Sequence, residues 1–486
     1  MTFENNHRSQ PKALPKAKTG ISGLDDITYG GLPAGRTTLV CGGPGCGKTI
    51  LAVEFLVRGA REFDEPGLFV SFEEDKEQLI ENFASLGFDI EDLIRKKKLK
   101  IVQVAVSKQE LIQSGSFTLD GLLILLDHAI RELGARRVVL DTLESVFAAL
   151  SNTENLRTEV AGLFQWLKDK GVTAVITGER HNAELTKYGF EEYVSDCVIL
   201  LDHRITDQTS KRRMRIIKYR GSSHSADEVP FLIGDTGLSV FPISSLQLNH
   251  VAGIRRVSTG IKDLDTMLED KGYFEGTTVL ISGRAGTGKS SLAATFALAA
   301  VDRGERCLYF SFEESGSQIE RNMKSLGIDL APSLESGLLT ILAFRPTFRG
   351  LEEHLVAILR ETENIKPTCV VMDPVTNFVS QGGVAEVKSM LTRVLDVLKR
   401  QRITLLMTAL TRGDMRRLSE TEVNLSSLVD TWIALDLEFT GEKRRRSLYV
   451  VKSRGMGHSH KTSEMIMSAR GLSLVGTIEA EGAYDR

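Results

Sequence analysis

Two glycine-rich stretches contain the residues best suited to chemistry. "GGPGCGKT" spans residues 42–49 and "GRAGTGKS" spans residues 283–290, and both match GxxxxGK[ST]. Each follows an apolar run and precedes a helical pattern, the context in which backbone N–H groups of such a loop cradle phosphates. Lys48 and Lys289 are expected to meet the β- and γ-phosphates of ATP. A chance glycine-rich turn is the alternative, and two matches in the required context argue against it.

An aspartate ends an apolar run in each half of the chain. "RRVVLD" ends at Asp141 and "TCVVMD" at Asp373. A lone aspartate at a strand end is more often a turn residue, but its pairing with a phosphate loop predicts a Walker B carboxylate that helps to hold Mg²⁺. Thr49 and Ser290, the last residues of the two loops, are the expected hydroxyl ligands of the ion.

One glutamate pair follows the motif "SF" in each half: Glu73 with Glu74 in the first, and Glu313 with Glu314 in the second. Both pairs are predicted to end a strand, where successive side chains point to opposite sides, so we expect one of each pair to face the γ-phosphate and the other to support it. We predict that Glu73 and Glu313 take this place and that each orients a nucleophile and accepts its proton. The alternative is an acid-rich helix N-terminus.

Two cation pairs also recur, in "KYR" (Lys218, Arg220) and "KSR" (Lys452, Arg454). Residues at i and i+2 of a strand share a face, and ordinarily this would be a solvated edge. Their recurrence far from the phosphate loops suggests that each pair projects at the γ-phosphate of a neighbouring subunit. Such an arginine-finger arrangement would make catalysis depend on ring assembly.

The stretch "NLSSLVD" (424–430) places two adjacent hydroxyls before an apolar run. When it is aligned with "FEEYVSD" in the first half, Ser426 and Ser427 stand where that half has Glu192 and Tyr193. Serine is commonly a turn residue, which is the alternative to a role as phosphate acceptor. Only the second half offers adjacent serines there.

These motifs occur in the same order in both halves, about 235 to 240 residues apart, which indicates a domain duplication. Apolar runs such as "TTLV", "RRVVL" and "VTAVIT" alternate with helical patterns such as "GLLILLDHAIREL". This pattern predicts an α/β fold in which each half has a largely parallel sheet covered by helices on both faces. The predicted divisions are a flexible N-terminal tail (1–18), a first domain (19–247), a second domain (255–475) and a short C-terminal tail (476–486).

Composition narrows the functional class. The chain has 486 residues and a net charge of −3, so it shows no global electrostatic signature of nucleic-acid binding. No apolar run approaches the ~18 residues of a membrane span, and the N-terminus lacks the apolar core of a signal peptide. Its five cysteines include no CxxC pair. We therefore expect a cytoplasmic protein.

Together, the tandem phosphate loops, "SFEE", "RRVVLD", "TGER", "KYGFEEYVSD" and "KYRGSSH" resemble the KaiC family of RecA-like ATPases and kinases of the circadian clock. The resemblance covers about residues 19–471. It implies two tandem RecA-like domains, in a two-tiered homohexamer whose first ring mainly hydrolyses ATP and whose second ring phosphorylates its own hydroxyls. Ser426 and Ser427 take the place of the family's autophosphorylation pair, which is usually Ser-Thr.

The resemblance also implies nucleotide contacts. In the first half they are Gly45, Cys46, Gly47, Lys48, Thr49, Ile50, Ser85, Lys218, Tyr219, Arg220, Ser222, His224 and Asp235. In the second half they are Gly286, Thr287, Gly288, Lys289, Ser290, Ser291, Glu313, Leu326, Arg446, Lys452, Ser453 and Arg454. Glu313 is in addition implied as a ligand of Mg²⁺.

Two departures qualify the resemblance. The chain stops soon after its last predicted strand, without the longer tail through which KaiA acts, which weighs against regulation by KaiA. The family's arginine after the second Walker B aspartate is missing from "DPVTNFVSQGG", and Arg412, Arg416 and Arg417 are the candidates to replace it.

Other expectations from the resemblance are a KaiB-like partner, autophosphatase activity and a circadian or stress-signalling role. The alternative functions are a RecA-like DNA-processing ATPase and a nucleotide-gated scaffold without kinase activity.

Overall fold

The computed structural model describes residues 14–104, 119–142, 144–145, 156–180, 186, 191–206, 209–242, 253–346, 350–411, 426–440 and 443–477. The chain divides into two compact units, residues 1–245 and 246–486. The predicted division near residue 250 lies outside the described residues. Among these residues no helix is long and apolar enough to cross a membrane.

The first unit contains a nine-stranded sheet and a separate two-stranded one. Its strands are β1 (Lys16–Ala17), β2 (Leu32–Pro33), β3 (Thr37–Gly42), β4 (Gly67–Ser71), β5 (Leu99–Gln103), β6 (Arg137–Asp141), β7 (Thr173–Glu179), β8 (Cys197–Thr206), β9 (Thr209–Tyr219), β10 (Val229–Gly234) and β11 (Gly237–Val240). Its helices are α1 (Leu24–Ile27), α2 (Lys48–Glu62), α3 (Lys76–Ala84), α4 (Ile90–Arg95), α5 (Leu119–Leu133), α6 (Leu156–Asp169) and α7 (Glu191–Val194).

The second unit repeats this plan. Its strands are β12 (Arg256–Val257), β13 (Tyr273–Phe274), β14 (Thr278–Gly283), β15 (Cys307–Ser311), β16 (Leu339–Ala343), β17 (Cys369–Asp373), β18 (Thr404–Leu410), β19 (Thr431–Thr440), β20 (Lys443–Ser453), β21 (Ser463–Ser468) and β22 (Gly471–Thr477). Its helices are α8 (Lys262–Met267), α9 (Lys289–Asp302), α10 (Gly316–Lys324), α11 (Ala331–Glu335), α12 (Leu351–Ile365) and α13 (Val384–Arg400), with a 3₁₀ helix at Val375–Ser380.

Strand order is the same in both large sheets. The first runs β11-β10-β9-β8-β3-β7-β6-β4-β5, and the second, in the same direction, β22-β21-β20-β19-β14-β18-β17-β15-β16. In the first sheet β8, β3, β7, β6, β4 and β5 pair in parallel, and β9 to β11 add antiparallel pairings at one side. The central strands are buried along their whole length because helices cover both faces. The predicted α/β class with two tandem, mostly parallel sheets is confirmed.

The ends of the domains differ slightly from the predicted limits. Lys16 and Ala17 form β1, paired with β2, so regular structure begins within the stretch expected to be a flexible tail. At the other end β22 continues to Thr477. Residues 1–13 and 478–486 lie outside the described part of the chain.

Arg137 begins the strand that carries Asp141, and it is almost completely buried. Its guanidinium donates to the carbonyls of Phe55 (2.8 Å) and Lys18 (2.7 Å) and to the Glu65 carboxylate (2.6 Å). A side chain on Gly59 would collide with it, which explains the glycine inside α2. Arg137 therefore ties β6 to the helix that follows the first phosphate loop.

We expect Arg137→Ala to lower the free energy of unfolding by about 3 kcal/mol, because it leaves Glu65 and two carbonyls without their buried donor. Arg136→Ala, which changes the exposed neighbouring arginine, is the matched control and should shift it by less than about 0.5 kcal/mol. Urea unfolding followed by circular dichroism measures both. Equal stability of the two variants would contradict this role.

Candidate functional site

Each phosphate loop connects a central strand to a helix, as β3 to α2 and as β14 to α9. Gly47 and Gly288, just before the lysines, have φ of 103° and 100°, a left-handed conformation that favours glycine. The Lys48 ammonium donates to the Gly42 carbonyl (2.9 Å), and that of Lys289 to the Gly283 carbonyl (2.9 Å). Both lysines are buried, and desolvation lowers the pKa of Lys289. Each loop therefore presents a desolvated cation at the end of its sheet.

The two Walker B candidates lie beside these loops. Asp141 accepts hydrogen bonds from the hydroxyls of Thr177 and Thr49, and burial raises the pKa of its carboxyl group. Asp373 accepts from Thr408 and, at its other oxygen, from the buried hydroxyl of Tyr309 (2.7 Å). The predicted neighbourhood of loop and aspartate is thus present in both halves.

A cavity of about 220 Å³ opens between the second loop and these groups. Its lining includes Lys289, Ser290, Glu313, Glu314 and Asp373. One ammonium, three carboxylates and the hydroxyls of Ser290 and Ser311 line it, a combination that suits a polyphosphate with a hard divalent cation. Carboxylate and hydroxyl oxygens are donors that fit Mg²⁺, and the buried charge of Asp141 is a corresponding donor in the first half.

The glutamate pairs do not end strands, contrary to the prediction. The strands end at Ser71 and Ser311, and the glutamates lie two and three residues later in a bend, so strand alternation does not orient them. Each serine hydroxyl bonds the main chain of the second glutamate, donating to its carbonyl (2.6 Å) and accepting from its N–H. A serine-stabilised turn, rather than the pleat of a strand, therefore positions each pair.

Within the first pair the two side chains have different surroundings. Glu73 is exposed and accepts from Ser145 (2.6 Å) and Thr142 (3.1 Å). Glu74 is exposed as well, but partial desolvation and the negative charge of Asp141 raise its pKa, while a hydrogen bond from Asn82 opposes the rise. In the second pair Asn322 donates to Glu314 (3.1 Å). The choice of Glu73 and Glu313 as the γ-phosphate residues stays a prediction.

In each sheet the cation pair lies at the opposite end of the strands from the phosphate loop. Lys218 is opposite Val198 at the start of β8, whereas Gly42 is opposite Leu201, so about 10 Å of strand separates them. The arginines follow the strands by one residue, since β9 ends at Tyr219 and β20 at Ser453. The pairs cannot serve the phosphate loop of their own half.

Instead, each cation pair holds main-chain carbonyls of the short helical turn before the neighbouring strand, which in the first half is α7. Lys218 donates to Glu192 O (2.7 Å) and Arg220 to Tyr193 O (2.5 Å). In the second half Lys452 donates to Ser426 O, and Arg454 donates to Ser427 O at 3.3 Å. The two predicted groups, cations and serines, are therefore adjacent in the second half. Desolvation lowers the pKa of Lys218 and of Lys452.

The other nucleotide contacts implied by the resemblance lie in several separate places. Tyr219 is buried, and its hydroxyl donates to Gly31 O (3.0 Å). The Ser453 hydroxyl is paired with that of Thr431 (2.9 Å). Arg446 reaches the second loop and donates to Gly286 O (3.3 Å). Cys46 and Thr287 are buried within the loops, while Ser291 and Leu326 lie outside the cavity lining named above. The first-half contacts Ile50, Ser85, Ser222, His224 and Asp235 stay a prediction. Arg412, Arg416 and Arg417 lie outside the described residues.

Several residues of the site were not predicted. Thr177 and Thr408 occupy equivalent places in "TGER" and "TALT", so the repeat alignment contained the signal for them. Tyr309 stands where the first half has Phe69. The apolar pattern of a strand is the same with either aromatic residue, so it did not predict a contact of the tyrosine hydroxyl. Arg284, in the second loop, forms a hydrogen bond with Asp436, which is 152 residues away in sequence, so no local pattern predicts this pair.

Comparison with known proteins agrees with this geometry. The family model described as "ATPase: KaiC" matches residues 17–245 and 257–478. The circadian clock protein KaiC2 of Synechocystis sp. is 50% identical over 476 residues, which cover 98% of this chain and 84% of that protein. The circadian clock oscillator protein KaiC of Synechococcus elongatus is 36% identical over 474 residues, 97% of this chain and 91% of that protein.

The raised pKa of Asp141 predicts a pH-dependent effect on stability. Folding keeps this carboxylate charged at a cost near neutral pH, so Asp141→Asn should raise the melting temperature of the nucleotide-free protein by a few degrees at pH 8. The gain should shrink as the pH falls through the raised pKa toward 4, because the wild-type carboxyl then becomes protonated. Calorimetry across this range tests it, with the exposed Glu77→Gln as control. A less stable Asp141→Asn at pH 8 would refute the argument.

Proposed function

The chain belongs to the KaiC family of ATPases, and on this basis we propose that it is an ATP-dependent serine autokinase built as a two-tiered homohexamer. In this proposal the first half hydrolyses ATP slowly, and the second half transfers the γ-phosphoryl group of ATP to Ser426 and Ser427 of a neighbouring subunit. Mg²⁺ accompanies ATP in both halves.

The observation that carries the proposal is the difference between two otherwise equivalent turns. In both halves a lysine and an arginine hold the carbonyls of the turn before the strand next to the phosphate-loop strand. The first half presents Glu192 and Tyr193 at these two positions, and the second presents Ser426, half-buried, and Ser427, exposed. The same framework therefore offers a pair of serine hydroxyls only in the second half.

The placement of the cations supports assembly. A pair that lies at the other end of the strands from its own phosphate loop cannot complete the site of its own half, and in a closed ring it can complete the site of a neighbouring chain. This arrangement lets Lys452 and Arg454 offset charge on the transferring group, which is the function of an arginine finger. Ser426 and Ser427 would arrive at the same site with them.

The transfer step follows from the residues gathered at the cavity. The serine Oγ attacks the γ-phosphorus of ATP, the new Oγ–P bond forms, the bond from phosphorus to the β,γ-bridging oxygen breaks, and ADP leaves. Glu313 orients the hydroxyl and takes its proton late in a loose transition state. Lys289 holds the β- and γ-oxygens. Ser290, Asp373 and Glu313 would hold Mg²⁺, which neutralises charge between the β- and γ-phosphates.

In the first half the acceptor is water. Glu73 and Glu74 lie beside Asp141, and either carboxylate could orient the attacking water and accept its proton. We expect changing both to Gln to leave ATP bound and to suppress hydrolysis, because an amide cannot accept the proton. A KaiB-like partner and a circadian or stress-signalling role remain expectations from family membership.

Phosphate transfer is the direct test. After incubation with ATP and Mg²⁺, peptide mass spectrometry should find phosphate on Ser426, Ser427 or both. Lys289→Ala should lower the amount at least about 100-fold, since it removes charge stabilisation of the transferring group while the first loop stays intact. Each phosphate adds about 1.5 to 2 negative charges beside Lys452 and Arg454.

Two controls sharpen this test. Ser426→Ala and Ser427→Ala each leave one acceptor and should retain phosphate on the other serine, whereas the double variant should retain none in this segment. Oligomers that bind ATP but carry no phosphate at either serine would contradict the kinase function and favour a nucleotide-gated scaffold.

Assembly gives an independent prediction. Nucleotide that bridges two subunits stabilises their interface by linkage, so native mass spectrometry should detect hexamers with ATP and smaller species after its removal. Lys452→Ala with Arg454→Ala should reduce the hexamer fraction. Lys211→Ala with Arg213→Ala, two cations elsewhere on a β-hairpin strand, provides a control of equal charge change. A chain that stays monomeric with saturating ATP would refute the ring.

A further inference from the structure

The second phosphate loop contains an arginine where the first has a glycine: Arg284 follows Gly283, whereas Gly43 follows Gly42. The Arg284 guanidinium donates through Nε (3.1 Å) and Nη2 to the same carboxylate oxygen of Asp436 in β19. Nη2 also donates to the carbonyl of Leu437 (2.9 Å). The loop is thus fastened to the adjacent strand by a side chain with three hydrogen bonds.

The main chain of Arg284 is equally involved in the loop. Its carbonyl accepts from the Lys289 ammonium (2.8 Å) and from the Thr287 hydroxyl (2.8 Å). Arg446 in β20 adds a bond to Gly286 O (3.3 Å). Arg284 therefore joins the β19–β20 hairpin to the lysine that is expected to meet the phosphates.

The first half has the carboxylate but not the link. Asp202 follows Leu201, the residue opposite Gly42, as Asp436 follows Leu435, the residue opposite Gly283. Its arginine partners are Arg180 (3.8 Å) and Arg204 (2.6 Å), which come from the end of β7 and from β8 itself. A Cβ placed on Gly43 would have no described atom within 4 Å. The first loop is therefore not tied to its neighbouring strand through this carboxylate.

We infer that Arg284 is a positioning residue that fixes the second phosphate loop in its nucleotide-binding shape before nucleotide arrives, and that this link gives the second loop a higher ATP affinity than it would otherwise have. The inference rests on the proposed binding of ATP at that loop.

The physical reason is preorganisation. A phosphate loop binds through backbone N–H groups that must all point inward, so any alternative loop conformation reduces the observed affinity. Hydrogen bonds that already hold the loop remove that loss without contacting the ligand. Arg284 and Asp436 are only partly exposed, which limits the screening of their attraction by solvent.

The experiment measures nucleotide affinity at one loop at a time in the full-length chain. Lys48→Ala isolates the second loop, and Lys289→Ala isolates the first. The fluorescent analogue mant-ATP is titrated with Mg²⁺ present, and the melting temperature of each nucleotide-free variant is recorded. In the Lys48→Ala chain, Arg284→Gly, which copies the first loop, should weaken binding about five- to tenfold.

Further variants distinguish positioning from a general loss of stability. Asp436→Asn should weaken binding similarly, and the double variant should be no worse than either single one, because both changes break the same link. Arg284→Lys should restore part of the affinity, since lysine keeps the charge but not the bidentate geometry. The matched control is Asp202→Asn in the Lys289→Ala chain, where first-loop affinity should change less than twofold.

The outcomes separate the two levels of the argument. Binding by the Lys48→Ala parent with unchanged affinity in Arg284→Gly overturns the positioning function of Arg284 and leaves the proposed function intact. Equal weakening by Asp202→Asn in the first half also overturns it, because the described ion pairs of Asp202 are with Arg180 and Arg204 and not with a side chain of its loop. A Lys48→Ala parent that binds no mant-ATP overturns the proposed function of the second half and this inference with it.

Discussion

The structure of each half depends on keeping one lysine ammonium and one carboxylate buried at the same end of a parallel sheet. Isolated charges in such a place are costly, so each must be surrounded by partners. Loop carbonyls surround Lys48 and Lys289, and threonine hydroxyls meet Asp141 and Asp373. Close packing of each loop against the neighbouring strand requires glycine at its start, since a Cβ on Gly42 or Gly283 would lie within 2.6 Å of a carbonyl oxygen of that strand.

The two halves produced by the duplication share one backbone framework but differ in a few polar side chains around the phosphate loop. Strand order, loop conformation and the cation-held turn recur in both halves. What differs is a small set of polar groups, such as Tyr309 on Asp373 and Arg284 on Asp436. Each is a single substitution on an unchanged backbone, of the kind by which two copies of an ATP site can diverge in chemistry without a change of fold.

The sequence predicted those features of the fold that depend on residues close together in the chain. The loops, the strand-end aspartates and the strand and helix patterns rest on short-range signals, and the structure places them as predicted. The glutamate pairs were misassigned to strands because the turn is set by a serine hydroxyl bonding to the main chain, and the periodicity of apolar residues contains no trace of such a bond. Pairings such as Arg284 with Asp436 depend on register between strands far apart in sequence, which a single sequence does not specify.

The cations at the strand ends away from the phosphate loop explain how ring assembly and the position of the serine turn are linked in the proposed ring. In the single chain Lys452 and Arg454 already hold the carbonyls of Ser426 and Ser427. An ammonium has three donors and a guanidinium five, so each can keep its carbonyl and still donate to a phosphate of the neighbouring site. Nucleotide bound at the neighbouring site would therefore accept hydrogen bonds from the same lysine and arginine that fix the serine turn. A phosphate added to either serine would compete for the same donors, so the turn is positioned to respond both to nucleotide and to its own modification.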